Sequence, residues 1–287
     1  MASAETHEHA NNGVQSGSNS YTNGQNVANA RQWDYGGNPL AHVNSGDSAR
    51  LPAFGGYAQP GLFKPPTKKI ANPAPLGLAA FALTTFVLSL INWHTQDVTE
   101  ANIVVSLAFG YGGLVQLLAG MWEMAVGNTF GATALSSYGG FWISFAIVLT
   151  PGGFNIPGSY SDLQHFNFGF GFFLMGWFIF TFIMWICTFK STVAFSFLFG
   201  TLWITFLLLG IGYLLTPDGS STPHEGCQKA GGMFGLLSAF AAWWNALAGL
   251  ADDSNSFYVI PVLHFPWSEK GREQKIKAKD VEANKEE

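Results

Sequence analysis

The chain has 287 residues, of which 48% are hydrophobic and only 11% charged, with a formal net charge of −5. A soluble domain carries about 25% charged residues, and here most of the charges lie before Lys69 or after Asp252. That distribution excludes an ordinary soluble domain, gives no reason to expect a nucleic-acid partner, and describes an all-α polytopic membrane protein with polar ends.

Residues 1–60 are rich in Asn, Gly, Ser and Ala and have no apolar core. No cleaved signal peptide is expected, and residues 1–70 read as a disordered leader. Then comes "ANPAPLGL", Ala71 to Leu78, where the polar leader meets a long apolar run. Proline is tolerated in the first turn of a helix, and the residue before a proline prefers extended backbone. Ala71 to Pro75 is therefore expected to be non-helical, with the first span starting near Leu76. The free N–H groups of that helix start, with Asn72 beside them, could hold a carboxylate. A plain helix-start signal is the competing reading, and the motif alone leaves both open.

Six spans of roughly 20 residues follow: Leu76 to Trp93, Ile103 to Met124, Thr133 to Thr150, Phe166 to Cys187, Ser191 to Leu215 and Ala230 to Ala251. They form a transmembrane domain over residues 71–251, and residues 252–287 form a charged tail. Between Ala101 and Ser161 the only charged residue is Glu123, at the end of the second span. Intramembrane carboxylates usually face a bundle interior or water and mark a pathway. Glu123 could equally cap its helix at headgroup level, and its position allows either role. Gly127 with Gly131, and Gly231 with Gly235, have the spacing of small residues at close helix packing. Asn72, Gln116, Asn128, Thr129, Ser136, Ser137, Tyr138 and Asn245 supply neutral polar groups in or beside the spans.

Basic residues near the spans set the topology. Lys64, Lys68 and Lys69 precede the first span, Lys190 lies between the fourth and fifth, and Lys270 to Lys279 follow the sixth. Both termini are expected in the cytoplasm, at the plasma membrane by default.

Enzyme chemistry has little to work with. No phosphate-binding Gly-Lys loop is present, and no nucleophile–histidine–acid set assembles on one membrane face. His94, His165 and His224 sit at span ends or in loops, so no haem, metal or other cofactor is expected. Cys187 reads as a buried thiol and Cys227 as a loop thiol.

"NPAPLGLAAFALTTF", "YGGLVQLLAGMWE", "GNTFGATALSSYGGFW" and "KSTVAF" closely resemble the acetate uptake transporter family, which includes bacterial succinate–acetate permeases and fungal acetate transporters. The resemblance runs from about Ala53 to Pro261. "AFGGYAQPG" stands where fungal members more usually have "FGGTLNPG". The resemblance implies six-helix protomers, each with its own pore, assembled as a homo-hexamer and moving acetate and similar short carboxylates with protons. It implies a central constriction at Phe81, Tyr138 and Leu202. Substrate-binding positions would be Asn72, Pro73, Leu76 and Gly77 of the signature, with Asn128 and Thr129. Glu123 would be the proton-coupling group or gate. An ammonia or ammonium exporter and a non-transporting regulator of acetate metabolism are the alternatives. The first would be expected to carry histidines within its spans, and none is there.

Overall fold

The structure is a computed structural model, and it describes residues 70–252, 255–257, 260 and 262–286. The leader expected at residues 1–70 lies outside the described residues except for its last position. Residues 68–287 form one compact unit.

Six helices in this unit are long and apolar enough to cross a membrane: α1 (Ala74–Asn92), α2 (Asn102–Ala125), α3 (Thr129–Leu149), α4 (Leu163–Cys187), α5 (Val193–Leu214) and α6 (Glu225–Leu250). A seventh, α7 (Glu269–Glu286), is polar and follows the bundle. No strand occurs among the described residues, only an isolated bridge between Thr192 and His264.

The helix starts differ from a hydropathy reading because capping, not apolarity, decides them. α1 begins at Ala74, so Ala74 and Pro75 are helical and the expected extended stretch is shorter. Pro73 already has near-helical angles, φ −84° and ψ −14°. Asn72 Oδ1 accepts from Ala74 N at 3.1 Å. α3 begins four residues before the expected Thr133, because Asn128 Oδ1 accepts from Gly131 N at 3.0 Å. α6 begins at Glu225, well before Ala230, with the His224 ring capping Cys227 N and Lys229 paired to Glu225 along the first turn. Asp162 and Thr192 cap α4 and α5 in the same way.

α2 widens into a π-helical segment over Gly110–Val115. Gly112 there lets the backbone lie against α1, directly over the Thr84 side chain, while Gly113 faces Ile143 of α3.

The helices pack in the order α2–α1–α6–α5–α4, with α3 against α2. Small residues allow the closest approaches. Gly231 fits under Leu209 of α5, and Gly235 under Ser89 of α1. The other glycine pair behaves differently: Gly127 lies in the α2–α3 turn at φ +85°, a left-handed position that favours glycine, with open space where a Cβ would stand. α3 meets α4 and α5 through aromatic rings instead. Phe141 stacks on Phe173 at 5.8 Å and meets Phe206 edge-on at 5.3 Å. Large rings hold these helices apart, and the space they leave carries the candidate site.

Candidate functional site: two cavities across an aromatic constriction

Phe81 on α1, Tyr138 on α3 and Leu202 on α5 converge in the middle of the bundle, each no more than 4% exposed. Tyr138 is the hub. Its ring lies 6.0 Å from Phe81, 5.9 Å from Trp177 and 5.6 Å from Phe180. Its hydroxyl is 2.9 Å from Thr181 Oγ1 on α4. That bond turns the polar end of Tyr138 towards α4 and leaves the constriction apolar.

A cavity of about 490 Å³ opens from this constriction towards the end of the bundle that bears the α1–α2 and α5–α6 connections. Phe81, Tyr138 and Leu202 form its floor, and His94, Thr222 and Glu225 lie at its rim. The walls follow from helical geometry, since residues three or four apart share a face. Thr85 stands one turn beyond Phe81, Trp142 one turn beyond Tyr138, and Thr205 one turn beyond Leu202; all three line the cavity. Gln228 of α6 completes the wall.

Thr85 Oγ1, Trp142 Nε1 and Gln228 Nε2 have no hydrogen-bond partner among the described residues. Thr85 is 5% exposed and Gln228 7%, so leaving these groups unpaired costs about 1–3 kcal/mol each. Buried donors of this kind are ordinarily matched by a ligand or by water. None of the three stands out in the sequence as a binding group. The spacing from Phe81 and Tyr138 points to Thr85 and Trp142, and the Gly231/Gly235 face, three residues on from Gln228, points to the third.

A second cavity, of about 350 Å³, lies at the opposite end. It is lined by the helix starts of α1 and α3, with Ala74, Leu78, Asn128, Gly131 and Leu135, and by the α4–α5 turn, with Thr188, Lys190 and Ser191. Leu78 and Leu135 stand one turn before Phe81 and Tyr138, so the two cavities meet the constriction from opposite sides.

The residues expected to bind substrate fall near this smaller cavity, and most are already occupied. Asn72 is exposed and its side-chain oxygen holds Ala74 N. Pro73 is the cap residue of α1, and Leu76 is 50% exposed. Gly77 is a packing position, where an added Cβ would lie 2.5 Å from Leu135 Cδ1. Asn128 lines the cavity, with its oxygen on Gly131 N and its amide donating to Glu123 Oε2 at 2.6 Å. Thr129 is exposed, and its backbone carbonyl accepts from Thr133 Oγ1.

Glu123 is 1% exposed and is not a headgroup-level cap in solvent. Gly131 separates it from the cavity, with the Glu123 carboxylate only 2.7 Å from where a Gly131 Cβ would stand. One carboxylate oxygen, Oε1, has no partner among the described residues. Of the other expected polar groups, Asn245 donates to Ala241 O, while Gln116 is fully buried away from both cavities with neither side-chain polar atom paired among the described residues. Cys187 is exposed at the end of α4 and lines the smaller cavity, and Cys227 lies inside the first turn of α6 rather than in a loop. No cluster of metal-ligating side chains occurs among the described residues.

Residues 54–267 of the chain match a known family, described as the GPR1/FUN34/yaaH family. The chain belongs to that family. It is 65% identical over 248 residues to acetate permease A of Emericella nidulans, covering 85% of this chain and 83% of that protein. It is 48% identical over 219 residues to ammonia transport outward protein 2 of Saccharomyces cerevisiae, covering 76% and 75% of the two chains. Among solved structures, the bacterial acetate channel SatP superposes with a TM-score of 0.57 at 31% identity, covering 68% of this chain and 99% of that one.

Proposed function

We propose that the protein carries acetate and similar short carboxylates across the plasma membrane, coupled to protons. The observation that carries this reading is the pair of cavities separated by the buried constriction of Phe81, Tyr138 and Leu202, with unpaired donors waiting on one side. A small carboxylate is an acceptor of the kind those donors lack. Thr85, Trp142 and Gln228 can bind an anion without a fixed positive charge that would hold it too tightly. The names of the relatives support the same substrate class. The six apolar helices, with basic residues at the smaller-cavity end, support cytoplasmic termini and an outward-facing larger cavity. Helix faces left apolar and exposed, such as Leu114, Leu118 and Trp122 of α2, suit lipid or neighbouring protomers of a hexamer.

The constriction argues for the proton. An ionised carboxylate pays heavily to enter an apolar neck, whereas the neutral acid pays only for its dipole. With the Tyr138 hydroxyl engaged by Thr181, the neck offers the anion little, and the acid crosses protonated. Glu123 is the group that exchanges that proton on the inner side, one glycine away from the smaller cavity. Its bond to Asn128 ties its charge to the start of α3. The chain carries out no bond-making chemistry in this reading and takes no cofactor.

Acetate uptake into liposomes, with and without an inward proton gradient, tests both parts. Accumulation against the acetate gradient is the expected result. Glu123→Gln keeps the size of the side chain and should flatten the pH dependence of uptake while leaving its level at the favourable pH within about twofold, because an amide replaces the carboxylate in the Asn128 contact. Unchanged pH dependence in that variant overturns the role of Glu123. Equilibration without accumulation replaces coupling by a channel. The name of the yeast relative favours an outward ammonia pathway as the second reading. Release of ammonia from loaded liposomes, with no acetate flux, would put it first.

A further inference from the structure

Residues 262–268, between α6 and α7, run back across the turn that joins α4 to α5. Val193 N donates to Leu263 O at 2.9 Å, Phe265 N to Ser191 O at 3.5 Å, and Thr192 and His264 form an antiparallel bridge. The Trp267 indole N–H donates to Phe189 O at 2.7 Å, and its ring stacks on Phe265 with centroids 4.8 Å apart. Ser268, 2% exposed, closes the segment by accepting from Gly271 N, and the Phe265 carbonyl fills the space where Gly271 would carry a Cβ.

Two features of this contact bear on the site. The first N–H of α5 has no partner within its own helix, and the carbonyl of Leu263 takes it. Of the three odd-numbered membrane-length helices, α1 and α3 start on caps from adjacent side chains, whereas α5 draws part of its cap from a segment about seventy residues downstream. The turn itself, with Thr188, Lys190 and Ser191, forms one wall of the smaller cavity. Among the described residues that line either cavity, Lys190 is the one lysine or arginine.

We infer that residues 262–268 are a strap whose grip on Phe189, Ser191 and Val193 positions Lys190 at the smaller cavity, so that the C-terminal tail sets access to that mouth. Trp267 and Leu263 are positioning residues, acting through the turn and not on the substrate. α7, polar along its whole length, continues directly from the strap and transmits to it whatever binds or moves the tail. The inference rests on the transport reading only where it concerns substrate, since the strap and the cavity wall exist apart from it.

Cys187 lines the same cavity and gives a readout that needs no transport. In the full-length chain carrying Cys227→Ser, reaction of Cys187 with a charged thiol reagent should become about three- to tenfold faster in Trp267→Ala, the range that one hydrogen bond supplies. Trp267→Phe keeps the ring and loses only the N–H donor, and should give a smaller acceleration. In liposomes, Trp267→Ala should raise the KM for acetate presented at this mouth by a similar factor with maximal flux changed less than about twofold. That rise should disappear when Lys190→Gln is already present. Unchanged labelling in both folded variants overturns the strap. A KM effect that persists in full beside Lys190→Gln overturns the positioning of Lys190. Faster labelling in proteins that move no acetate keeps the strap and removes the transport reading instead.

Discussion

The two cavities are reached from the same constriction and both are lined by α1, α3 and α5, yet several of the polar groups near them are in opposite states. At the end of the bundle that holds the smaller cavity, Asn72, Asn128 and Thr192 are committed to helix starts, and the turn beside them is held by the strap. At the larger cavity the donors of Thr85, Trp142 and Gln228 have no partner among the described residues. A helix start must satisfy its own N–H groups before it can offer any to a ligand. A side chain one turn beyond the constriction has no such duty. Conspicuous polar residues at helix starts therefore mark architecture here, while binding capacity lies in inconspicuous ones further along the same helices.

Removing what divides the cavities should have the largest effect. Tyr138→Ala takes away the ring that touches Phe81, Trp177 and Phe180, together with the partner of Thr181. It should cost about 3–5 kcal/mol of stability and abolish gradient-driven acetate uptake. Thermal unfolding in detergent and liposome uptake check the two parts, and a variant that folds and accumulates acetate normally would mean that the division between the cavities is not functional.

Removing the unpaired donors sharpens the contrast. Gln228→Leu and Thr85→Val should each raise the KM for acetate about tenfold, equivalent to roughly 1.4 kcal/mol, while leaving the unfolding midpoint equal or higher. Burying an apolar group costs less than burying an unpaired donor. Asn128→Ala should show the reverse pattern, with the KM changed little and stability lowered by about 1 kcal/mol through the lost cap and by more through the lost donor to the buried Glu123 carboxylate. If Asn128→Ala raised the KM and Gln228→Leu did not, the assignment of the two ends would be exchanged.

The smallest effect is expected at Asp162, which lies outside the spans. The backbone N–H of His165, and then its side chain, hold the Asp162 carboxyl below the ordinary carboxylate range. A lowered value means that the ionised form favours the folded state. Its contribution is complete above the ordinary range and is lost as the pH falls through the lowered value. Asparagine caps as well as aspartate, so Asp162→Asn should leave the midpoint at neutral pH nearly unchanged and remove a small part of its decline in acid.

Much of this protein is legible in its amino-acid sequence. The six spans follow from apolar runs of the right length, because lipid admits little else but helices there. Phe81, Tyr138 and Leu202 follow from the family resemblance, and the fold brings them together. The first residues of α1, α3 and α6 depart from the hydropathy boundaries because hydropathy does not register a cap formed by Asn72, Asn128 or His224. The Gly127–Gly131 spacing suggests helix packing, but a left-handed turn at Gly127 breaks the helix between them.

Composition and periodicity alone determined that the chain forms a bundle of membrane-length helices, since burial in hydrocarbon leaves the backbone no other means of satisfying its hydrogen bonds. Which polar side chains remain unpaired, that Glu123 lies behind Gly131 instead of in solvent, and that a segment beyond α6 grips the α4–α5 turn were decided only by the tertiary structure. Each depends on a contact between residues of different helices, or on the absence of one, and such contacts leave no period in the sequence.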